Sequence, residues 1–184
     1  GANHYALHAF DDGEHAGRAL QAARTYARIA PASSHARHMP SHVFLPLGMW
    51  DEAVASDESA FAASVAFAKR KGLSAAQYDF HALSWLHYEY LQQGRFAKAR
   101  EAMREVERAS SASERSASLQ ASGSGSAKAS PYVGQASPYQ RGAQHDHVES
   151  EIGRGFGPMS LKGELASMRA RLVLESGDWS IMKA

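Results

Sequence analysis

Three histidines, His35, His38 and His42, stand three and four residues apart in the run Ser34-His35-Ala36-Arg37-His38-Met39-Pro40-Ser41-His42. Residues at those separations share one face of a helix, with Cβ atoms roughly 5–6 Å apart, so their imidazoles can converge. His4 and His8 repeat the four-residue spacing upstream. Each pair, His4/His8 and His38/His42, has the spacing at which two helical histidines chelate one ion. These four are the candidate metal ligands, with His35 or His81 in support. Neutral imidazole suits Zn, Ni, Cu or Fe, so the implied cofactor is a divalent transition metal of zinc-like character. No His-Glu-x-x-His occurs, and Pro40 and Pro46 interrupt the helical register around the run.

Composition narrows the rest. The chain has 184 residues, 20 Lys plus Arg, 19 Asp plus Glu and a net charge of +1, which gives no basis for binding nucleic acid. Protonating all ten histidines would take that charge from +1 to +11, so net charge depends steeply on pH between roughly 5 and 7. There is no cysteine, which excludes disulfides, thiolate metal sites and cysteine nucleophiles. No apolar run approaches the roughly 20 residues of a membrane-spanning helix. The composition is that of a soluble chain, of cytoplasm or periplasm without distinction. Both ends look cut, as in a piece of a longer protein. There is no Gly-x-Gly-x-x-Gly after a strand, no Walker loop and no Gly-x-Ser-x-Gly.

The elements that must position the histidines are helical throughout. Apolar spacing predicts helices over 3–10, 15–29, 34–47, 50–71, 75–92, 95–109 and 158–176. Asp12 and Ser33 or Ser34 are placed to cap the second and third of them. Lys69-Arg70-Lys71-Gly72 reads as a helix C-terminus, with cations at the negative end of the dipole and then a glycine stop. From 110 to 157 the chain becomes rich in Ser, Ala, Gly and Gln, with Ala129-Ser130-Pro131-Tyr132 echoed at Ala136-Ser137-Pro138-Tyr139. Too few large apolar residues remain there to offset the entropy of ordering, so a flexible insertion is expected.

Self-similarity organises the helices. Gly48-Met49-Trp50-Asp51-Glu52-Ala53, Gly94-Arg95-Phe96-Ala97-Lys98-Ala99 and Gly177-Asp178-Trp179 share Gly, one residue, then an aromatic; Gly13-Glu14-His15 is a degraded copy. Gly ends one helix in a left-handed turn, the aromatic wedges between two helices, and Ala lets them approach. With Phe44 and Tyr90 four residues before their glycines, the pattern resembles tetratricopeptide repeats. The spacing is 35 residues from Gly13 to Gly48 but 46 to Gly94, so the hairpins are irregular. The His-x-x-His-Met-Pro-Ser-His run is also similar to a group of bacterial tetratricopeptide-repeat proteins.

The resemblance implies an all-α solenoid of antiparallel hairpins. Three occupy residues 1–109, the insertion 110–157, and the first helix and turn of a truncated further hairpin 158–184. It also implies a concave face lined by residues at fixed distances before each glycine. These are His35, His38 and His42; His81, Ser84 and Tyr88; and Glu164, Ser167 and Arg171. Two functions follow as expectations. One is a binding module that holds a peptide or small polar ligand through His35, His38, His42, His81, Tyr88 and Arg171. The other is a metal-dependent enzyme or metal-binding protein with His4, His8, His38 and His42 as ligands, an open position of the ion activating water or substrate.

Other residues have plainer readings. His15 is expected to pack, His87 to make a buried hydrogen bond between helices, and His145 and His147 to be solvated. Asp11 and Asp12 read as a helix stop, and Phe44, Trp50, Trp85, Phe96 and Trp179 as core.

Overall fold

Pro40 lacks an N–H and is expected to kink the histidine-bearing helix or start a new segment of it; a new segment does start after it, with the backbone angles still helical. In a computed structural model describing residues 1–123 and 158–183, α3 (Ser34–His38) and α4 (Ser41–Phe44) are joined through Met39 and Pro40, both in right-handed helical conformation. Met39 N–H still donates to His35 O at 2.9 Å, and Phe44 N–H to Pro40 O at 3.1 Å. Ser33 caps α3 by accepting from Ala36 N–H. His35, His38 and His42 therefore keep one face despite the proline.

The described residues are helical, with no strand among them. α1 (Ala2–Ala9) precedes a short 3-10 turn, Ala16–Ala19, and α2 (Leu20–Ile29). After α3 and α4 comes the long α5 (Trp50–Lys71), then the 3-10 turn Ala75–Gln77 and α6 (Phe80–Gln92). α7 (Phe96–Gly123), α8 (Pro158–Ser176) and a 3-10 stretch, Trp179–Lys183, complete the chain described. No described helix is long and apolar enough to cross a membrane.

The turns at Gly48 and Gly94 work as their sequences imply. Both glycines have positive φ, 69° and 67°, and a Cβ at either would meet nothing within 4 Å. The backbone angle, not space, requires glycine. At the first, Met49 N–H reaches Phe44 O at 2.9 Å and Gly48 N–H reaches Leu45 O at 3.0 Å. At the second, Arg95 N–H reaches Tyr90 O at 2.7 Å and Gly94 N–H reaches Leu91 O at 2.9 Å. Paired bonds of this kind satisfy the last carbonyls of a helix. Phe44 and Tyr90, which carry those carbonyls, are buried.

α5 packs on α3, α4 and α6, while α6 also packs on α7 and α8. Two apolar clusters result. Leu7, Ala19, Ala23, Met39, Val43 and Ala53 join α1 to the start of α5. Phe80, Leu83, Leu86, Val106, Leu161 and Leu172 join α6, α7 and α8. α3 and α6 also touch directly, and His38 and His81 meet at that seam.

Two expectations need correction. The helix expected to stop near residue 109 continues to Gly123. Residues 110–122 contain no Gly or Pro to stop it, and Glu114 on this extension pairs with Lys162 of α8 at 2.7 Å. The remainder of the expected insertion, 124–157, with His145 and His147, lies outside the described residues. Trp179, expected in the core, is 67 % exposed, and opens the 3-10 stretch Trp179–Lys183. Trp50 and Phe96, each followed by a long helix, are half-buried.

Candidate metal centre

The face kept through Pro40 brings two trios of imidazoles together. His4, His8 and His35 form one; His38, His42 and His81 form the other. Within each trio the ligand nitrogens lie within 4.8 Å of one another. The single four-histidine set expected from spacing is thus divided. His4 and His8 meet His35, whereas His38 and His42 meet His81 from α6.

The second trio is the more elaborate. His38 and His42 face each other Nε2 to Nε2 at 3.0 Å. Behind them, His38 Nδ1 lies 2.7 Å from Asp57 Oδ1, and His42 Nδ1 lies 2.7 Å from Asp11 Oδ2. An ionised carboxylate only accepts, so beside one each Nδ1 carries the proton and donates it. Both Nε2 atoms are then left as bare lone pairs, pointed at each other. His81 joins with its ring centroid 4.7 Å from that of His38. The Trp85 indole covers the group, 4.2 Å from the His42 ring and 5.1 Å from the His38 ring between centroids.

Lone pairs in such contact repel unless a cation lies between them, and either a proton or a metal ion satisfies the geometry. A proton is disfavoured here. His38 is 1 % exposed, and burial lowers both His38 and His42 to about 4. His81 is lowered by burial and then by His38. Neutral imidazoles with carboxylates on their far nitrogens are the donor set that binds zinc, the carboxylate fixing the tautomer and raising ligand basicity. Zn–N bonds of about 2.0–2.1 Å in a tetrahedral arrangement set nitrogens about 3.3 Å apart, close to the spacing seen.

Asp57 is the residue that spacing of histidines could not reveal. α5 turns a stripe of small side chains inward, Ala53, Ala60, Ser64 and Ala68, and Asp57 sits in that stripe fully buried. Among the described residues, its Oδ2 and both Glu89 oxygens have no hydrogen-bond partner. Burial, then Asp57, pushes Glu89 up to about 9, and burial pushes Asp57 up as well. The pair therefore keeps a proton at neutral pH. Held on Glu89, that proton leaves Asp57 ionised beside His38 Nδ1. A buried negative charge left uncompensated costs several kcal/mol, and a cation on the far side of His38 would offset it. A lone Asp in the register of buried alanines was the sequence signal.

The first trio is simpler. His4 Nε2 lies 2.8 Å from His8 Nε2 and 3.3 Å from His35 Nε2. Burial, then His4, lowers His35 to about 4, and burial, then His8, lowers His4. Asp79 ties the supports of both trios together. It caps α6 by accepting from Ala82 N–H and accepts from the Ser34 hydroxyl at the start of α3.

The remaining expected site residues are engaged elsewhere. Tyr88 meets Trp50 edge-on with centroids 6.2 Å apart. Arg171 donates to Ser84 O and Oγ at 3.1 and 3.0 Å. Asp11, read as a helix stop, instead supports His42; Asp12 is the turn former, accepting from Glu14 and His15 N–H. The His15 ring also bonds Asp12. His87 corrects its expectation too. It is fully buried, but neither ring nitrogen has a partner among the described residues, and burial lowers it to about 4. Trp85, expected as plain core, walls the second trio.

No protein-family model, curated protein or solved structure matches this chain.

Proposed function

We propose that this chain is a metal-binding protein whose principal site is His38, His42 and His81, on a tetratricopeptide-like scaffold. The observation that carries this reading is the 3.0 Å contact between two Nε2 atoms whose far nitrogens both donate to carboxylates. The scaffold is supported by positive-φ Gly48 and Gly94 with buried Phe44 and Tyr90 four residues ahead of them. A divalent transition metal of zinc-like character suits three imidazoles. Three protein ligands leave a four-coordinate ion one open position, the donor count of catalytic rather than closed structural zinc sites. That position would take water or a small polar ligand. A second reading, a groove for a peptide or small polar ligand, draws on Arg171 and Ser84, two of its expected lining residues, which meet at 3.0 Å.

Metal-stripped protein titrated with Zn(II) should take up stoichiometric ion. Its melting temperature should rise, because a ligand at a hundred times its Kd adds about 2.7 kcal/mol to stability. Absence of stoichiometric uptake together with an unmoved melting temperature would remove the reading.

A further inference from the structure

We propose that His4, His8 and His35 form a second divalent-metal site, independent of the His38/His42/His81 centre and weaker than it. His4 Nε2 contacts Nε2 of both His8 and His35, at 2.8 and 3.3 Å. One ring nitrogen offers either one N–H or one in-plane lone pair. It cannot make both contacts good hydrogen bonds, whichever tautomer it adopts. A metal ion resolves the conflict, because it accepts a lone pair from each of the three nitrogens. The rings are placed for this from two separate elements: His4 and His8 one turn apart on α1, and His35 in the first turn of α3. Tyr26 of α2 closes one side, its ring 5.5 Å from that of His4.

The ranking follows from what stands behind the ligands. His38 and His42 each donate to a carboxylate, whereas none of His4, His8 and His35 has a carboxylate hydrogen-bonded to its ring among the described residues. Loss of such partners lowers metal affinity by about 10–100-fold. Each trio has one exposed ring, His8 in this one and His81 in the other, but only the other has a fully buried ligand, His38. The outer site therefore takes and releases its ion while the inner one keeps it. As a nitrogen-donor site it should follow the general affinity order, Cu(II) and Ni(II) ahead of Co(II).

The test is a chelator-competition titration of the full chain with Zn(II) alone, on wild type, His8→Ala and His42→Ala. Wild type should bind two equivalents with affinities at least tenfold apart. His8→Ala, at an exposed position, should keep the tight equivalent and lose the weak one; His42→Ala should do the reverse. One equivalent in wild type, unchanged by His8→Ala, would overturn the second site. Loss of both equivalents in His8→Ala would overturn its independence. Retention of both in His42→Ala would leave this proposal standing and remove the inner centre instead.

Discussion

Acidifying the metal-free protein from pH 6.5 to 4.5 is expected to remove roughly 6–8 kcal/mol of stability. Four imidazoles, those of His35, His38, His42 and His87, are held near 4 in the fold, against about 6.5 in the unfolded chain. Between those values the unfolded state binds more protons, so each contributes stability present above 6.5 and lost as pH falls. Glu89 acts in the opposite sense. Its folded value is raised to about 9, so the native state holds a proton that the unfolded chain takes up only near pH 4.5, which offsets part of the loss. Four protons against one leave a net of three, at about 1.4 kcal/mol each per pH unit. Small domains hold only about 5–15 kcal/mol in total. Circular dichroism against pH should thus show unfolding between about pH 4 and 5. The zinc-loaded protein should release its ion over the same range, because the ligands must be deprotonated to bind. A metal-free fold equally stable at pH 4.5 and 7 would show that these rings are not held neutral.

Replacing Asp57 with Asn is expected to move metal affinity and metal-free stability in opposite directions. The amide oxygen can still accept from His38 Nδ1, and its N–H can serve Glu89, so geometry is kept while a buried charge disappears. Zinc affinity should fall about 10–100-fold, the usual cost of losing a carboxylate behind a ligating histidine. The metal-free protein should melt at the same temperature or higher, because buried ionic groups are often no more stabilising than neutral ones that fit. A purely structural role for Asp57 would lower both quantities together. Chelator competition and thermal melting on the one variant separate these cases.

The local sequence carried the scaffold further than the site. Gly48 and Gly94 announced their turns because positive φ is a demand of the backbone itself, expressed in one residue. The helical register of His35, His38 and His42 was likewise local, and survived Pro40 because the residues beside a proline can remain right-handed helical. The partition into two trios was not legible, since it depends on which neighbouring helix approaches which imidazole. His81 arrives from α6 and His4 from α1, through packing that spacing does not encode. Asp11 and Asp57 support His42 and His38 across 31 and 19 residues of sequence, so neither pairing has a sequence period. The end of α7 was misplaced because weak helix formers such as Ser carry little signal when no Gly or Pro intervenes.

The most direct measurement is X-ray absorption at one equivalent of Zn(II) on the chain carrying His4→Ala and His8→Ala, so that only the His38, His42 and His81 trio is complete, with and without further replacement of those three by Ala. The chain that keeps the trio is expected to show about three imidazole nitrogens at about 2.0–2.1 Å and one further light-atom ligand, a shell lost when the trio is replaced. An ion ringed by water or carboxylate oxygens while the trio is present, or an unchanged shell once it is replaced, would contradict a metal centre built on these three histidines.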